Sequence, residues 1–326
     1  MDGQLILARI QSYLQSANTS APGMSEEIIE EAGERLKEVL RKTFNTQRGT
    51  NFRVYMSNAG RASCALTMER NGAKAEPQSY SFRLKMLVGD ISEIVLRAVI
   101  KGSGTPIEKS NVKVELPIAE GISVRGEYDF RIGGRIWDAK SASNYSFRNK
   151  WQSGFSHIEA NDDFGYCAQL YGYAIADNAV AGGFFVLNKE TGEVSCTSAI
   201  DTPEYRDKHL KRIKDNVFKV LDTERPFERN YKDEEETFYG KPTGNRKLGF
   251  SCSYCVYKWD CWPGLVRKDK VQSEAKNKQL VYYTVYDPAS EITKVEEKVQ
   301  LPKDGKKVAT RKRRASTAVS EEVAQG

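Results

Sequence analysis

The 326-residue chain is long enough to bury a substantial core, as one large domain or as a domain with decorations. Its formal charge of +6 and pI near 8.8 suit a polyanionic partner without proving one. No apolar run approaches the ~20 residues of a membrane span, and the start lacks the basic region of a signal peptide. We therefore expect a cytoplasmic protein with no membrane contact.

Apolar spacing predicts helices and strands in alternation along the chain. Helices are expected at 4–17, from Ile28 to Phe44, and at 82–101, 162–178 and 203–223. Strands are expected at 111–118 and 122–125, in a hairpin at 126–140, and in a second hairpin at 182–200. This order predicts an α/β fold with a mixed central sheet flanked by helices.

Gly133 and Gly134 predict a two-residue type I′ turn in the first hairpin, because both central positions of that turn need positive φ. The register then places Asp129 opposite Asp138, and directly opposed like charges destabilise a sheet. A protein that keeps such a pair usually offsets the repulsion with a cation. A slipped register with a solvated charged face remains an equally good interpretation of these residues alone.

The same register places Glu127 opposite Lys140, two residues beyond Asp138 on the polar face of the hairpin. Two acids followed by a lysine are the arrangement that a metal-dependent phosphodiesterase needs. The other face is expected to face the core, and it consists of Tyr128, Phe130, Ile132, Trp137 and Ala139.

Two polar pairs with four-residue spacing lie on predicted helices, Gly89 with Glu93 and Gln169 with Tyr173. Residues four apart share one side of a helix. A helical glycine costs about 1 kcal/mol relative to alanine, so something is expected to approach the helix closely at Gly89. On helix pattern alone, Glu93 is more typical of a surface glutamate than of a ligand.

Three cysteines near the C-terminal end of the predicted core, Cys252, Cys255 and Cys261, have the spacing Cys-x2-Cys-x5-Cys. Three closely spaced cysteines in an intracellular protein are a strong signal for metal ligands, one short of a closed site. Cys167 and Cys196 lie in apolar patterns typical of buried residues, whereas Cys64 is expected in a polar loop. We therefore choose Cys64 as the fourth ligand, and spacing alone leaves iron–sulfur and zinc open.

Taken in order, these motifs resemble the RecB branch of the PD-(D/E)XK nucleases, specifically its iron–sulfur members. Those members include AddB-type nuclease domains, CRISPR-adaptation exonucleases and related phage exonucleases. The matching motifs are Gly89-x3-Glu93, Gly126-x2-Asp129, Asp138-Ala139-Lys140, Gln169-x3-Tyr173, and an upstream cysteine followed by Cys-x2-Cys-x5-Cys. The resemblance covers residues 64–261, and it departs where Glu93 replaces a frequent histidine and where no proline precedes Asp129.

The resemblance implies a restriction-endonuclease-like core and a divalent metal site. Its ligands for Mg²⁺ or Mn²⁺ would be Glu93, Asp129, Asp138 and the carbonyl of Ala139. Lys140 would position the attacking water or stabilise the pentavalent phosphorus. Gln169 and Tyr173 would orient the active site or contact DNA. Cys64, Cys252, Cys255 and Cys261 would hold a [4Fe-4S] cluster, with zinc as the alternative, as a clasp around the DNA path.

The implied function is a Mg²⁺- or Mn²⁺-dependent DNA exonuclease in recombination, repair or processing, acting on single-stranded or end-bearing DNA. No P-loop is present, so a helicase or recombination partner would be a separate chain. The alternative is a non-catalytic nucleic-acid-binding protein with a structural four-cysteine site, although a binding module needs no opposed acids. The expected segments are an N-terminal helical region at 1–60, the nuclease core at 61–270, an extension at 271–302 and a disordered basic tail at 303–326.

Overall fold

The computed structural model describes residues 2–17, 19, 23–45, 52–238, 240–270 and 279–289. The predicted basic tail at 303–326 and most of the predicted extension at 271–302 lie outside these residues. Within the described chain, no helix is long and apolar enough to cross a membrane.

The helices and strands follow the predicted alternation closely. The helices are α1 (Gly3–Ser16), α2 (Glu26–Asn45), α3 (Met56–Ala59), α4 (Ser63–Arg70), α5 (Tyr80–Gly102), α6 (Asn144–Ser146), α7 (Phe155–Ala160), α8 (Tyr166–Ala176), α9 (Pro203–Leu221), α10 (Phe250–Ser253) and α11 (Lys258–Cys261), with a π-helical turn at Phe147–Trp151. The strands are β1 (Lys109–Ala119), β2 (Ile122–Ile132), β3 (Arg135–Ala142), β4 (Val180–Asn188), β5 (Val194–Ser198), β6 (Glu234–Phe238), β7 (Lys241–Lys247), β8 (Val266–Asp269) and β9 (Leu280–Val285).

In the part of the chain that the structure describes, β1 to β5 form one mixed sheet in sequence order. β3 and β4 run parallel, and the other neighbouring pairs run antiparallel. The chain between β3 and β4 contains α8, which packs on the sheet, as a parallel crossover requires. The predicted α/β fold with a mixed central sheet flanked by helices is confirmed.

Each face of this sheet has its own hydrophobic core. On one face, α8 and α9 pack on the strands through a cluster that includes Leu170, Ala174, Ile213, Val217, Ile136 and Phe184. On the other face, α1 and α5 pack through Ile6, Ile10, Leu96, Ile100, Trp137 and Phe185. Burial on both faces holds the sheet between two helical layers and fixes its strands relative to α5 and α8.

Local capping fixes where α5 and α8 begin. The Ser79 hydroxyl accepts the amide hydrogen of Phe82 at 3.2 Å, which satisfies a free donor in the first turn of α5. The buried Asp162 carboxylate accepts the amide hydrogens of Tyr166 and Cys167 at 2.9 and 2.8 Å, which caps α8. Both helices therefore start at defined positions relative to the sheet.

The predicted turn is confirmed, since Gly133 and Gly134 have φ of 58° and 73°. The β2–β3 ladder pairs Phe130 with Trp137 in the expected register. The prediction of one polar and one buried hairpin face is wrong. Tyr128 packs in the cluster with α8, whereas Phe130 packs in the cluster with α1 and α5.

The change of face coincides with an interruption of the β1–β2 ladder. The ladder pairs Ser110 with Phe130 and Val112 with Tyr128 but omits Asn111 and Asp129 between them. Asn111 has a φ of 51°, which is unusual for a strand residue other than glycine and interrupts the pleat of β1. The alternation of side chains along β2 shifts at the same level, at Asp129.

A second sheet, formed within the described residues by β6, β7, β9 and β8 in that order, follows the main one. The apolar pattern predicts no strand over 225–250, yet β6 and β7 lie there. Glu236 is buried between these strands and accepts hydrogen bonds from Asn245 and Tyr283 at 2.9 and 2.8 Å. Such a strand pair is stabilised by buried polar contacts rather than by the apolar pattern that predicts strands. This sheet has strands on both sides of position 270, the predicted boundary between the nuclease core and the extension. The predicted division of the chain into four segments stays a prediction.

Candidate active site

The open end of the first hairpin brings the two predicted acids together, though not in the expected way. The backbone ladder between β2 and β3 ends at Phe130 and Trp137, one pair before Asp129 and Asp138. The Asp129 carboxylate instead accepts the amide hydrogen of Ala139 at 2.6 Å. The predicted direct opposition of Asp129 and Asp138 in the ladder is therefore wrong. Where the strands separate, the Asp129 side chain accepts the hydrogen bond that a backbone carbonyl of the ladder would otherwise accept.

Asp138 and Lys140 form a buried ion pair on β3. The Asp138 side chain is 3% exposed and that of Lys140 is 19% exposed, and Asp138 Oδ2 contacts Lys140 Nζ. Burial opposes charge on Lys140, but Asp138 and Asp129 outweigh it and raise the pKa of Lys140. Burial raises the pKa of Asp138, and Lys140 acts against that increase. In this state Lys140 is a cation that balances the acids.

Glu93 lies on α5 and acts electrostatically on Asp129, and its grouping with Asp129 and Asp138 as metal ligands stays a prediction. Burial raises the pKa of Asp129 well above its usual range, and the charges of Glu93 and Asp138 raise it further. Burial also raises the pKa of Glu93, against the charges of Arg97 and Arg35. Repulsion of this kind means that the three carboxylates act on one another electrostatically in one buried part of the fold.

Two residues that the sequence analysis did not single out hold Glu93. Asn111 Nδ2 donates a hydrogen bond to Glu93 Oε1 at 3.3 Å. Arg97 Nη1 donates in turn to Asn111 Oδ1. The available signal was the four-residue spacing of Arg97 from Glu93 on α5, but the position of Asn111 depends on the pairing of β1 with β2.

Gln169 and Tyr173 meet as the sequence spacing predicts. Gln169 Nε2 donates to Tyr173 OH at 3.1 Å. Burial raises the pKa of Tyr173, and the negative charges of Asp138 and Asp129 add to that increase. The Tyr173 ring also explains Gly126, since a Cβ at that position would lie 2.6 Å from Tyr173 Cε1. Gly126 and Tyr173, which belong to two different motifs of the resemblance, therefore pack against each other beside the acids.

Two further predictions need correction. A Cβ at Gly89 would meet Ser141 Oγ at 3.7 Å, which is ordinary contact, so packing does not require a glycine there. Glu127 does not pair with Lys140 in the described strands, because the ladder ends before that pair. Its carboxylate forms an ion pair at 2.9 Å with Arg35 of α2 instead.

Tyr166, at the start of α8, is a second contact that the sequence analysis missed. Its ring centroid lies 5.0 Å from Lys140 Nζ and 5.2 Å from Lys150 Nζ. A lysine ammonium over an aromatic face at this distance is attracted to the ring. Tyr166 therefore supports the position of Lys140 through its ring.

The donor set fits a hard divalent ion in chemistry, because all of its candidate side-chain ligands are carboxylates. Asp138 Oδ2 is buried and receives no hydrogen bond, and its contact is the Lys140 ammonium. Among the described residues, no three histidine, cysteine, aspartate or glutamate side chains converge tightly enough to hold one ion. In this arrangement the charge that an ion would supply comes from Lys140.

The four predicted cysteine ligands gather at a second location, which we call the cysteine cluster (Cys64, Cys252, Cys255 and Cys261). Burial raises the pKa of Cys252 to about 11, and the other three thiols add to that increase. Cys64 lies in the first turn of α4, not in the predicted loop. Its amide donates to Asn230 Oδ1 at 2.7 Å, a cap that arrives from a distant segment and leaves no local signal.

Hydrogen bonds join the segment before α5 to the cysteine cluster. The Glu76 amide donates to the Val256 carbonyl at 2.7 Å, and the Lys74 amide donates to Asp260 Oδ2 at 2.9 Å. The Glu76 carboxylate also pairs with the buried Lys258. Cys167 and Cys196, in contrast, lie in the two cores of the main sheet, as their apolar patterns predict.

Comparisons with known proteins give distant structural likeness alone. No protein-family model and no curated protein matches this sequence. One solved structure, described as SSO0001, has 15% identity and a TM-score of 0.42, covering 72% of this chain and 96% of its own. Another, described as LHK-Exo in complex with dAMP, has 15% identity and a TM-score of 0.36, covering 52% of this chain and 89% of its own. Both scores are below 0.5, and the proposals below rest on the contacts of this chain.

Proposed function

We propose that the protein is a metal-dependent DNA exonuclease with a RecB-like, PD-(D/E)XK active site. The observation that carries the proposal is the convergence of Glu93, Asp129 and Asp138 with Lys140 where β2 and β3 separate. Three buried carboxylates with one lysine are costly to keep in a fold, since burial raises the pKa of all three and Glu93 and Asp138 raise that of Asp129 further. A binding module has no need of such a group.

Glu93, Asp129, Asp138 and the carbonyl of Ala139 are the proposed ligands for Mg²⁺ or Mn²⁺. The chemistry supplied by such an ion, when bound, is polarisation of the phosphodiester and a lower pKa for an attacking water. Lys140 places a positive charge next to Asp138, where charge develops on the phosphate oxygens. The hydrogen-bonded pair of Gln169 and Tyr173 borders this site and orients the acids or the DNA strand.

The cysteine cluster is the proposed site of a [4Fe-4S] group, with zinc as the alternative. Supporting this, four thiols from two distant parts of the chain act electrostatically on one another. In the described structure these thiols do not converge tightly enough to hold an ion, so the choice of iron–sulfur over zinc rests on the resemblance and on the cysteine spacing. The proposed role is structural, joining α4 to the segment at 252–261.

The proposed substrate is DNA that is single-stranded or has a free end. Tyr145 is 79% exposed, and Lys150 lies in the same stretch after β3. Exposed aromatic rings suit base stacking, and lysines suit phosphate contacts. Unwinding of a duplex would need a separate helicase or recombination partner.

The test is cleavage of end-labelled single- and double-stranded DNA with Mn²⁺ or Mg²⁺, with and without EDTA. We expect cleavage from ends that EDTA abolishes and that the Asp138→Asn variant lacks, with DNA binding retained. The matched control is Asp201→Asn, which removes an aspartate paired with Arg206 outside the site. Binding without cleavage in the wild-type protein would favour the non-catalytic alternative, and full activity in Asp138→Asn would contradict the assignment of Asp138.

A further inference from the structure

We propose that Asn111 is the positioning residue that sets the Glu93 carboxylate for metal binding, with Arg97 fixing the orientation of the Asn111 amide. The inference rests on the proposed function and names the residues on which that metal site depends. It concerns a strand residue and a helix residue that lie outside every motif of the resemblance.

The direction of the hydrogen bonds determines which way the Asn111 amide points. A guanidinium donates and never accepts, so the Arg97 contact requires the oxygen of the Asn111 amide. The amide nitrogen is then directed at Glu93 Oε1, where it donates at 3.3 Å. Arg97 is 4% exposed, so its guanidinium is held by packing and keeps this orientation.

The backbone gives an independent reason to assign a role to Asn111. Its φ of 51° is a conformation that side chains other than glycine, asparagine and aspartate rarely adopt. Ser110 and Val112 on either side pair regularly with β2, so strand pairing alone does not require the irregularity. Strained backbone that persists inside regular structure is typical of functional sites.

The same irregularity falls where the β1–β2 ladder omits both Asn111 and Asp129, a second proposed ligand. From this interruption Asn111 reaches Glu93 on α5. The hydrogen bond from Asn111 engages Oε1 of Glu93 and favours one orientation of the carboxylate. The second oxygen, Oε2, is the atom we assign to the ion.

The experiment measures the Mn²⁺ dissociation constant of the full chain by electron paramagnetic resonance. Asn111→Gly removes the amide and suits the positive φ, so the backbone need not change. Its matched control is Asn178→Gly, at an exposed turn where φ is 46°. We expect Mn²⁺ binding to weaken about 10- to 100-fold in Asn111→Gly, as for other groups that orient metal ligands, and to stay unchanged in Asn178→Gly.

A double-mutant cycle separates positioning from a structural effect. If Asn111 acts through Glu93, Asn111→Gly should cause no further loss of Mn²⁺ affinity in a Glu93→Gln background. Equal Mn²⁺ affinity in wild type and Asn111→Gly would overturn the inference, as would additive losses in the cycle. Should Asn111→Gly fail to fold, Asn111→Ser, which lacks the amide donor and adds no charge to the site, must show the weaker binding.

The outcome for Asn111 is distinguishable from the outcome for the proposed function. Wild-type protein that binds no Mn²⁺ and cleaves no DNA contradicts the function, and the inference falls with it. Wild-type protein that binds and cleaves, with Asn111→Gly equal to Asn178→Gly, contradicts the role of Asn111 alone.

Discussion

The carboxylate site and the cysteine cluster both gather residues from distant parts of the chain, but they are built differently. The carboxylates stand on long elements, β2, β3 and α5, which two hydrophobic cores hold in place. The cysteines stand on the short helices α4, α10 and α11, or between them. A site on long packed elements is more precisely held than one on short segments.

The two sites also differ in how their charge is balanced. At the carboxylate site the chain supplies its own cation, Lys140, next to Asp138. At the cysteine cluster, burial raises the pKa of Cys252, Cys255 and Cys261, so the free thiols are neutral. The comparison teaches that the acids of the first site have a counter-charge within the chain, whereas the second site consists of neutral thiols. Under the proposed function, a bound group would convert these thiols to thiolates and hold them together.

The largest effect that tests this comparison is expected from Lys140→Ala. Loss of its charge should lower cleavage about 100- to 1,000-fold, as removal of other groups that stabilise developing negative charge does. Asp138 would then be a buried acid without its partner, so the free energy of unfolding should also fall. End-labelled DNA cleavage and thermal melting measure the two effects.

The control for Lys140→Ala is Lys109→Ala, which removes a lysine paired with Asp177 at 3.2 Å outside the site. It should cleave DNA at the wild-type rate. Cleavage that stays normal in Lys140→Ala would mean that the chain's own cation has no part in the chemistry. Loss of DNA binding in Lys140→Ala would instead indicate a role in substrate affinity.

A smaller effect on cleavage is expected from Cys252→Ser, because the cysteine cluster lies outside the carboxylate site. The variant should lose bound iron and acid-labile sulfide, or zinc if zinc is the occupant. Its melting temperature should fall, by about 2–4 °C for each kcal/mol lost in a domain of ~200 residues. Elemental analysis and calorimetry of the full chain measure these changes.

Cys196→Ser is the matched control for the cysteine cluster, since Cys196 is a buried core residue on β5. It should lower stability through its new buried hydroxyl while leaving the metal content unchanged. If Cys252→Ser keeps both its metal content and its melting temperature, the cysteine cluster is not a ligand site. The hydrogen bonds from Lys74 and Glu76 would then be enough to hold that segment.

Sequence patterns predicted the main sheet and the hairpin turn because their signals are local. Periodicity determines a helix such as α8, and Gly133 with Gly134 determines the turn. The face change at Asp129 could not be predicted, because it lies where pairing with the neighbouring strand is interrupted at Asn111. The same holds for Cys64, whose helix is capped by Asn230.

The residues that hold the acids were missed for a related reason. A motif search finds groups that carry chemistry, such as Asp138 and Lys140, but not the partners that orient them. Asn111 and Tyr166 reach the site only through strand pairing and helix packing. Glu127 shows the reverse case. Hairpin register predicts that it lies opposite Lys140, whereas in the structure it forms an ion pair with Arg35 of α2.

The smallest expected effect is that of Tyr166, whose ring lies beneath Lys140. Tyr166→Leu removes an attraction of about 1 kcal/mol, so kcat/KM for DNA cleavage should fall about fivefold. Tyr166→Phe keeps the aromatic face and should cleave as the wild type does. An equal loss in Tyr166→Phe would mean that the hydroxyl, not the ring, matters. An unchanged rate in Tyr166→Leu would show that the acids alone hold Lys140 in place. The carboxylate site would then depend even less on neighbouring side chains than its contrast with the cysteine cluster implies.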